Sequence, residues 1–79
     1  MKAKIHVTLK TGVLDPQGKA IEGALKGLGF DAANVRQGKV IELTLSENDE
    51  AAARARIEDM CKKLLANPVM ENYSIELQP

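Results

Sequence analysis

Aromatic side chains are almost missing from this chain: one Phe, one Tyr and no Trp in 79 residues. Proteins that read single-stranded nucleic acid stack bases on aromatic platforms, and the isolated Phe30 and Tyr73 offer no such surface. An excess of one charge is missing too, since eleven Lys and Arg balance eleven Asp and Glu. That balance argues against nucleic acid or an anionic membrane as a partner. Long hydrophobic runs are absent as well. The start, MKAKIHVTLK, alternates where a signal peptide needs about 7–15 consecutive apolar residues, and no later stretch approaches a membrane span. The expected location is cytoplasmic. A single cysteine, Cys61, permits no internal disulfide, and one Cys with one His cannot assemble a metal cluster without carboxylates or other chains.

What is present suits one small domain spanning residues 1–79. At this length folding buries only about 60% of the surface of the unfolded chain, so the core is small and gains from a partner. Residues 3–9 alternate, with Ile5, Val7 and Leu9 on one face and Lys4, His6 and Thr8 on the other, as in a half-buried strand. Asp15-Pro16 reads as a helix start, a carboxylate at the N-cap followed by a proline at the first helical position. The pattern puts Ile21, Leu25 and Leu28 inward. Gly29 ends the helix, with Phe30 placed to pack back on Leu25 in a Schellman motif. Glu22 and Lys26, four apart, belong to the solvated face.

Between Asn34 and Leu45, Gly38 marks a hairpin turn, a bulge or a bend in one long strand. Parity favours one strand, because Val35, Ile41, Leu43 and Leu45 share one side. Ser46-Glu47-Asn48-Asp49 matches a capping box, opening a second helix over about Glu47–Ala66 with Ala53, Ile57, Met60, Cys61 and Leu64 inward. Glu50/Arg54, Glu58/Lys62 and Asp59/Lys63 are spaced for ion pairs. Asn67-Pro68 stops this helix, and Tyr73, Ile75 and Leu77 alternate as a last strand. The implied fold is a two-layer α+β domain of order β-α-β-(β)-α-β, with an antiparallel-rich sheet and two helices on one face. Open sheet edges invite a second chain, so a homo-oligomer is expected.

Few residues suggest chemistry. TGVLDPQGKA sits between strand and helix like a phosphate loop, but five residues separate Gly12 from Gly18 and Ala20 stands where a hydroxyl should bind magnesium. Pro16 removes an N–H donor and Asp15 puts a negative charge where the anion would sit. His6 has no local partner for acid–base work, and Cys61, on an apolar stripe, behaves as a small hydrophobe. No catalytic, cofactor or metal site is therefore expected. Two features invite contact instead. Ala20, Gly23, Ala24 and Gly27 give the first helix a small-residue face, suited to close packing on its own sheet or on a partner chain. Arg36 and Lys39 flank a flexible Gln37-Gly38, a docking site or a solvated bend.

LDPQGKAIEGALKGLGF at 14–30, VRQGKVIEL at 35–43 and CKKLLANPVMENY at 61–73 together closely resemble the PurS family, small subunits of phosphoribosylformylglycinamidine synthase. The resemblance spans nearly the whole chain. It implies a non-catalytic, usually dimeric adaptor in a purine-biosynthetic ligase complex. There a glutaminase subunit (PurQ) releases ammonia from glutamine, and a synthetase subunit (PurL) uses ATP and magnesium to activate formylglycinamide ribonucleotide. By this resemblance, Asp15, Gln17, Gly18 and Lys19, with Arg36, Gln37, Gly38 and Lys39, are the positions expected to face partners. The alternative of a different class is an independent small-molecule binding or regulatory module of ferredoxin-like type.

Overall fold

The computed structural model describes residues 1–78. It contains β1 (Lys2–Leu9), α1 (Pro16–Gly27), β2 (Lys39–Thr44), α2 (Glu50–Met60), which runs on through a π-helical turn at Cys61–Leu65, and β3 (Glu71–Gln78). These three strands and two helices realise the expected α+β architecture. The strand order is β2-β1-β3, all antiparallel, with Ile5 opposite both Ile41 and Ile75.

The alternation in β1 sets the core. Ala3, Ile5 and Val7 are buried, and α2 lays Ala53, Ile57 and Cys61 over the same face. Ile41, Leu43, Tyr73, Ile75 and Leu77 pack around them from the flanking strands. Each fully buried aliphatic side chain contributes roughly 1.5–3 kcal/mol. Burial also pushes the Cys61 thiol pKa up, with Glu58 adding to the effect, which keeps the sulfur protonated and inert.

α2 departs from expectation at both ends. Its N-cap is Asp49, whose carboxylate accepts from the Ala52 N–H at 3.1 Å, so the helix starts three residues later than a cap at Ser46 implies. At the other end the Ala66 N–H reaches back five residues to the Cys61 carbonyl, 3.1 Å away. This wider turn shifts the phase of the stripe: Leu65 packs on the core and Leu64, expected inside, is 84% exposed. Of the three ion pairs foreseen on α2, Lys63–Asp59 forms at 3.0 Å; Arg56 pairs with Glu47 at 3.5 Å, and Arg54 donates to the Ile75 carbonyl.

The expectation of one continuous strand across Gly38 fails. β2 begins only at Lys39, and neither β1 nor β3 pairs with residues 34–38. Asn34 takes a left-handed φ of 57°, and the Val35 and Gln37 N–H groups bond to side-chain carboxylates of Glu22 and Asp15 instead of to a strand. Val35 has the odd numbering of the apolar β2 residues but does not belong to the ladder.

α1 has the expected ends. Asp15 caps it, and at the other end Gly29 has φ 93° while the Phe30 N–H bonds the Leu25 carbonyl and the Gly29 N–H bonds that of Lys26, a Schellman closure. Its packing is the larger surprise. Ile21 (40% exposed) and Leu28 (74%) do not enter the core, and Phe30 is 60% exposed. α2 lies against the sheet, whereas α1 makes no comparable contact with any element. The molecule is accordingly drawn out to 48 × 25 × 14 Å. Its radius of gyration of 15.8 Å compares with about 12 Å for a chain of this length wrapped around one core.

Candidate functional site

The two sequence blocks expected to face partners meet in space, where the start of α1 lies beside the loop entering β2. Asp15 is the hub and is 8% exposed. Its Oδ1 accepts from the Gly18 N–H at 2.9 Å, which is the N-cap bond, and its Oδ2 accepts from the Gln37 N–H at 2.8 Å. Arg36 Nε stands 3.8 Å from the same Oδ2, while its Nη2 donates to the Leu9 carbonyl at 2.6 Å and to that of Lys10 at 3.3 Å. Arg36 thus fastens the loop to the end of β1. Above this layer the Gln37 side-chain amide donates to Gln17 Oε1 at 2.6 Å.

Charge and hydrogen bonding reinforce each other here. The Gln37 and Gly18 N–H groups, with the Arg36 guanidinium beside them, hold the Asp15 carboxyl below the usual carboxylate range against the opposing effect of burial. Glu22 behaves alike. Its Oε1 accepts from the Val35 N–H at 3.1 Å, the main cause of its lowered pKa, and Lys19 and Lys26 add favourable charge. Lys26 lies 3.5 Å from Glu22 Oε2, so the expected pair forms, but the Glu22 side chain, expected on the solvated face, is only 15% exposed because it turns to the Val35 N–H. The bond from Glu22 to Val35 was invisible in the sequence, because it spans 13 residues and no local pattern signals it.

Both glycines in the blocks are there for close approach. A Cβ on Gly18 would sit 2.5 Å from the Val35 carbonyl oxygen, and one on Gly38 would sit 2.7 Å from that of Val7. Asp15, Gly18, Arg36 and Gly38 are therefore engaged within the chain. Gln17, Lys19 and Lys39 stay exposed at the rim. Two shallow grooves flank Asp15: one of about 320 Å³ reaching Gln17, Lys39 and Glu71, the other of about 330 Å³ reaching Leu14, Lys19 and Arg36. The small-residue face points elsewhere. Ala20, Gly23, Ala24 and Gly27 are all exposed, and among the described residues nothing beyond the helix's own backbone lies within 4 Å of a Cβ placed at Gly23 or Gly27, so close packing on the chain's own sheet is not their role.

Nothing in the corner resembles a nucleophile and its base. His6 stands on the polar sheet face, 3.4 Å from Glu76. Among the described residues no group of three or more His, Cys, Asp or Glu side chains is placed to hold a metal ion, and no helix is long and apolar enough to cross a membrane.

The corner presents shape and hydrogen bonding, and comparison with known proteins assigns the chain to a lineage. A family model described as PurS, phosphoribosylformylglycinamidine (FGAM) synthase, matches residues 2–79. The chain belongs to the PurS family. The PurS subunit of phosphoribosylformylglycinamidine synthase from Synechocystis is 51% identical to it over 75 residues, covering 94% of this chain and 75% of that one. The crystal structure of Methanocaldococcus jannaschii PurS, a subunit of formylglycinamide ribonucleotide amidotransferase in the purine biosynthetic pathway, superposes with a TM-score of 0.87. The two are 42% identical, over 98% of this chain and 94% of that one. A chain in the structure of PurLQS from Thermotoga maritima matches with a TM-score of 0.88 at 33% identity, over 95% and 93% of the two chains. PurS chains are thus subunits of a purine-biosynthetic synthase, and the Thermotoga one occurs in an assembly.

Proposed function

We propose that residues 1–79 form one domain that serves as the non-catalytic subunit of FGAM synthase, in the cytoplasm, as a homodimer or higher homo-oligomer. In this reading it bridges the glutaminase PurQ and the synthetase PurL, which uses ATP and magnesium. Ammonia released from glutamine then reaches formylglycinamide ribonucleotide without escaping. The observation that carries the reading is the likeness, over 95% of this chain, to a chain in the Thermotoga PurLQS structure.

Physical chemistry supports the same reading. Ammonia lost to water is protonated and ceases to be a nucleophile, so holding two active sites in register matters even for a subunit with no reacting group. The Asp15 corner, with Gln17, Lys19 and Lys39 exposed around it, offers polar docking contacts, and the open face at Gly23 and Gly27 receives a partner chain. Ile21 and Leu28, exposed on another side of α1, and Phe30 after it also gain from the cover of a partner chain.

Size exclusion of the purified chain with PurQ and PurL, with and without glutamine and nucleotide, tests the assembly. Wild type co-elutes with both subunits, and a Gln17→Ala, Lys19→Ala double variant co-elutes less. Failure to co-elute under every ligand combination overturns the reading.

A further inference from the structure

Among the described residues α1 packs no apolar face on the sheet comparable to that of α2, and the hydrogen bonds that tie it to the chain beyond its own first turn are few. Residues 35–37 divide their bonds between two sides: the Val35 and Gln37 N–H groups, two positions apart, both turn to α1 and are taken by Glu22 and Asp15, while the side chain of Arg36, between them, turns to the end of β1. The segment is a wedge with α1 on one side and the sheet on the other. Gly18 lets the first turn of α1 lie directly on the Val35 carbonyl. The two carboxylates sit seven positions apart, two helical turns, so they grip the wedge on one face of the helix.

We propose that Asp15 and Glu22 form a two-point latch that sets the direction in which α1 leaves the sheet, which makes them positioning residues for the docking surface carried by α1. The consequence for docking rests on the function proposed above; the latch itself does not. Asp15 is faced by Arg36 from the wedge and by Lys39 and Glu71 across the groove, and Glu22 by Lys19 and Lys26 from its own helix. The capping role of Asp15 is separable from the bridging one. Asn is as good an N-cap and keeps an oxygen for Gly18, but replaces the second oxygen with a donor that cannot receive the Gln37 N–H.

The test compares wild type with an Asp15→Asn, Glu22→Ala double variant. The latch requires the Val35 and Gln37 amides to exchange at least about tenfold faster in the variant, while the Ile5, Val7 and Ile57 amides stay within about twofold of wild type. Spin labels on Leu28→Cys and Thr44→Cys then give a broader distance distribution. Unchanged exchange at 35 and 37, or an equally narrow distribution, overturns the proposal. A wild-type measurement guards against a variant that fails to fold. The Gln37 amide shift should follow the titration of Asp15, and the Val35 amide that of Glu22; amide shifts that stay flat overturn it as well. In the reconstituted synthase the double variant should lower the glutamine-dependent rate at least about tenfold and spare the ammonia-dependent rate. If wild type itself leaves the glutamine-dependent rate unchanged, the docking function fails, and amide exchange still decides the latch.

Discussion

The two halves of this chain are held by different forces. Around α2, the sheet and helix bury Ile5, Val7, Ile57 and Cys61 completely or nearly so, with apolar neighbours on every side. Around α1, the apolar side chains face outward and the connection to the sheet is a set of hydrogen bonds from backbone amides to Asp15 and Glu22, with Arg36 behind them. Apolar burial is indifferent to direction, whereas carboxylate–amide bonds specify geometry. The difference separates a half built around an apolar core from a half fastened by directed polar bonds.

The largest expected effect tests that division on matched truncations. Ile57→Ala should cost about 2–5 kcal/mol in urea unfolding, because it opens a cavity under α2. Leu28→Ala should stay within about 0.5 kcal/mol in the isolated chain. Equal losses would erase the contrast. Next come the glycines. Gly38→Ala drives a Cβ into the Val7 carbonyl and should cost about 1–3 kcal/mol. Gly23→Ala meets empty space and should stabilise α1 by about 0.5–1 kcal/mol, while Gly23→Leu with Gly27→Leu should weaken assembly and leave the circular dichroism helical. Full assembly by that leucine pair would remove the partner from this face.

The smallest effect on global stability is that of pH, and it should fall on one half. Asp15 and Glu22 have carboxyls held below their ordinary values in the fold, so their stabilisation is complete above the unfolded range near pH 4 and is lost as pH falls through the lowered folded values. Acidification should therefore free the Val35 and Gln37 amides before those of β1 and α2, as followed by residue-resolved exchange. Simultaneous release of both halves would contradict it.

Local signals carried much of the fold. Alternation identified β1 and β3, and Asp15 and Gly29 marked the ends of α1, because strand parity and cap chemistry act over a few residues. Where two neighbours offered the same chemistry, locality misled. Ser46 and Asp49 can both cap, and Leu64 and Leu65 can both face inward; the choice came from tertiary packing and a π turn. For Ile21 and Leu28 an apolar stripe says that something covers it, not that the same chain does. The candidate site was legible only as two separate blocks, expected by family resemblance to face partners. Their meeting at Asp15, and the bond from Glu22 to Val35, lie beyond any sequence window because they join residues 13 to 22 positions apart.

The function proposed above has this chain contribute geometry, not chemistry, to a glutamine-dependent synthase. Its most direct test is FGAM formation by purified PurQ and PurL with and without the chain, using glutamine or ammonia as nitrogen source. The proposed function requires the chain for the glutamine-dependent reaction and leaves the ammonia-dependent one running without it. A glutamine-dependent rate that is the same in its absence would rule that function out.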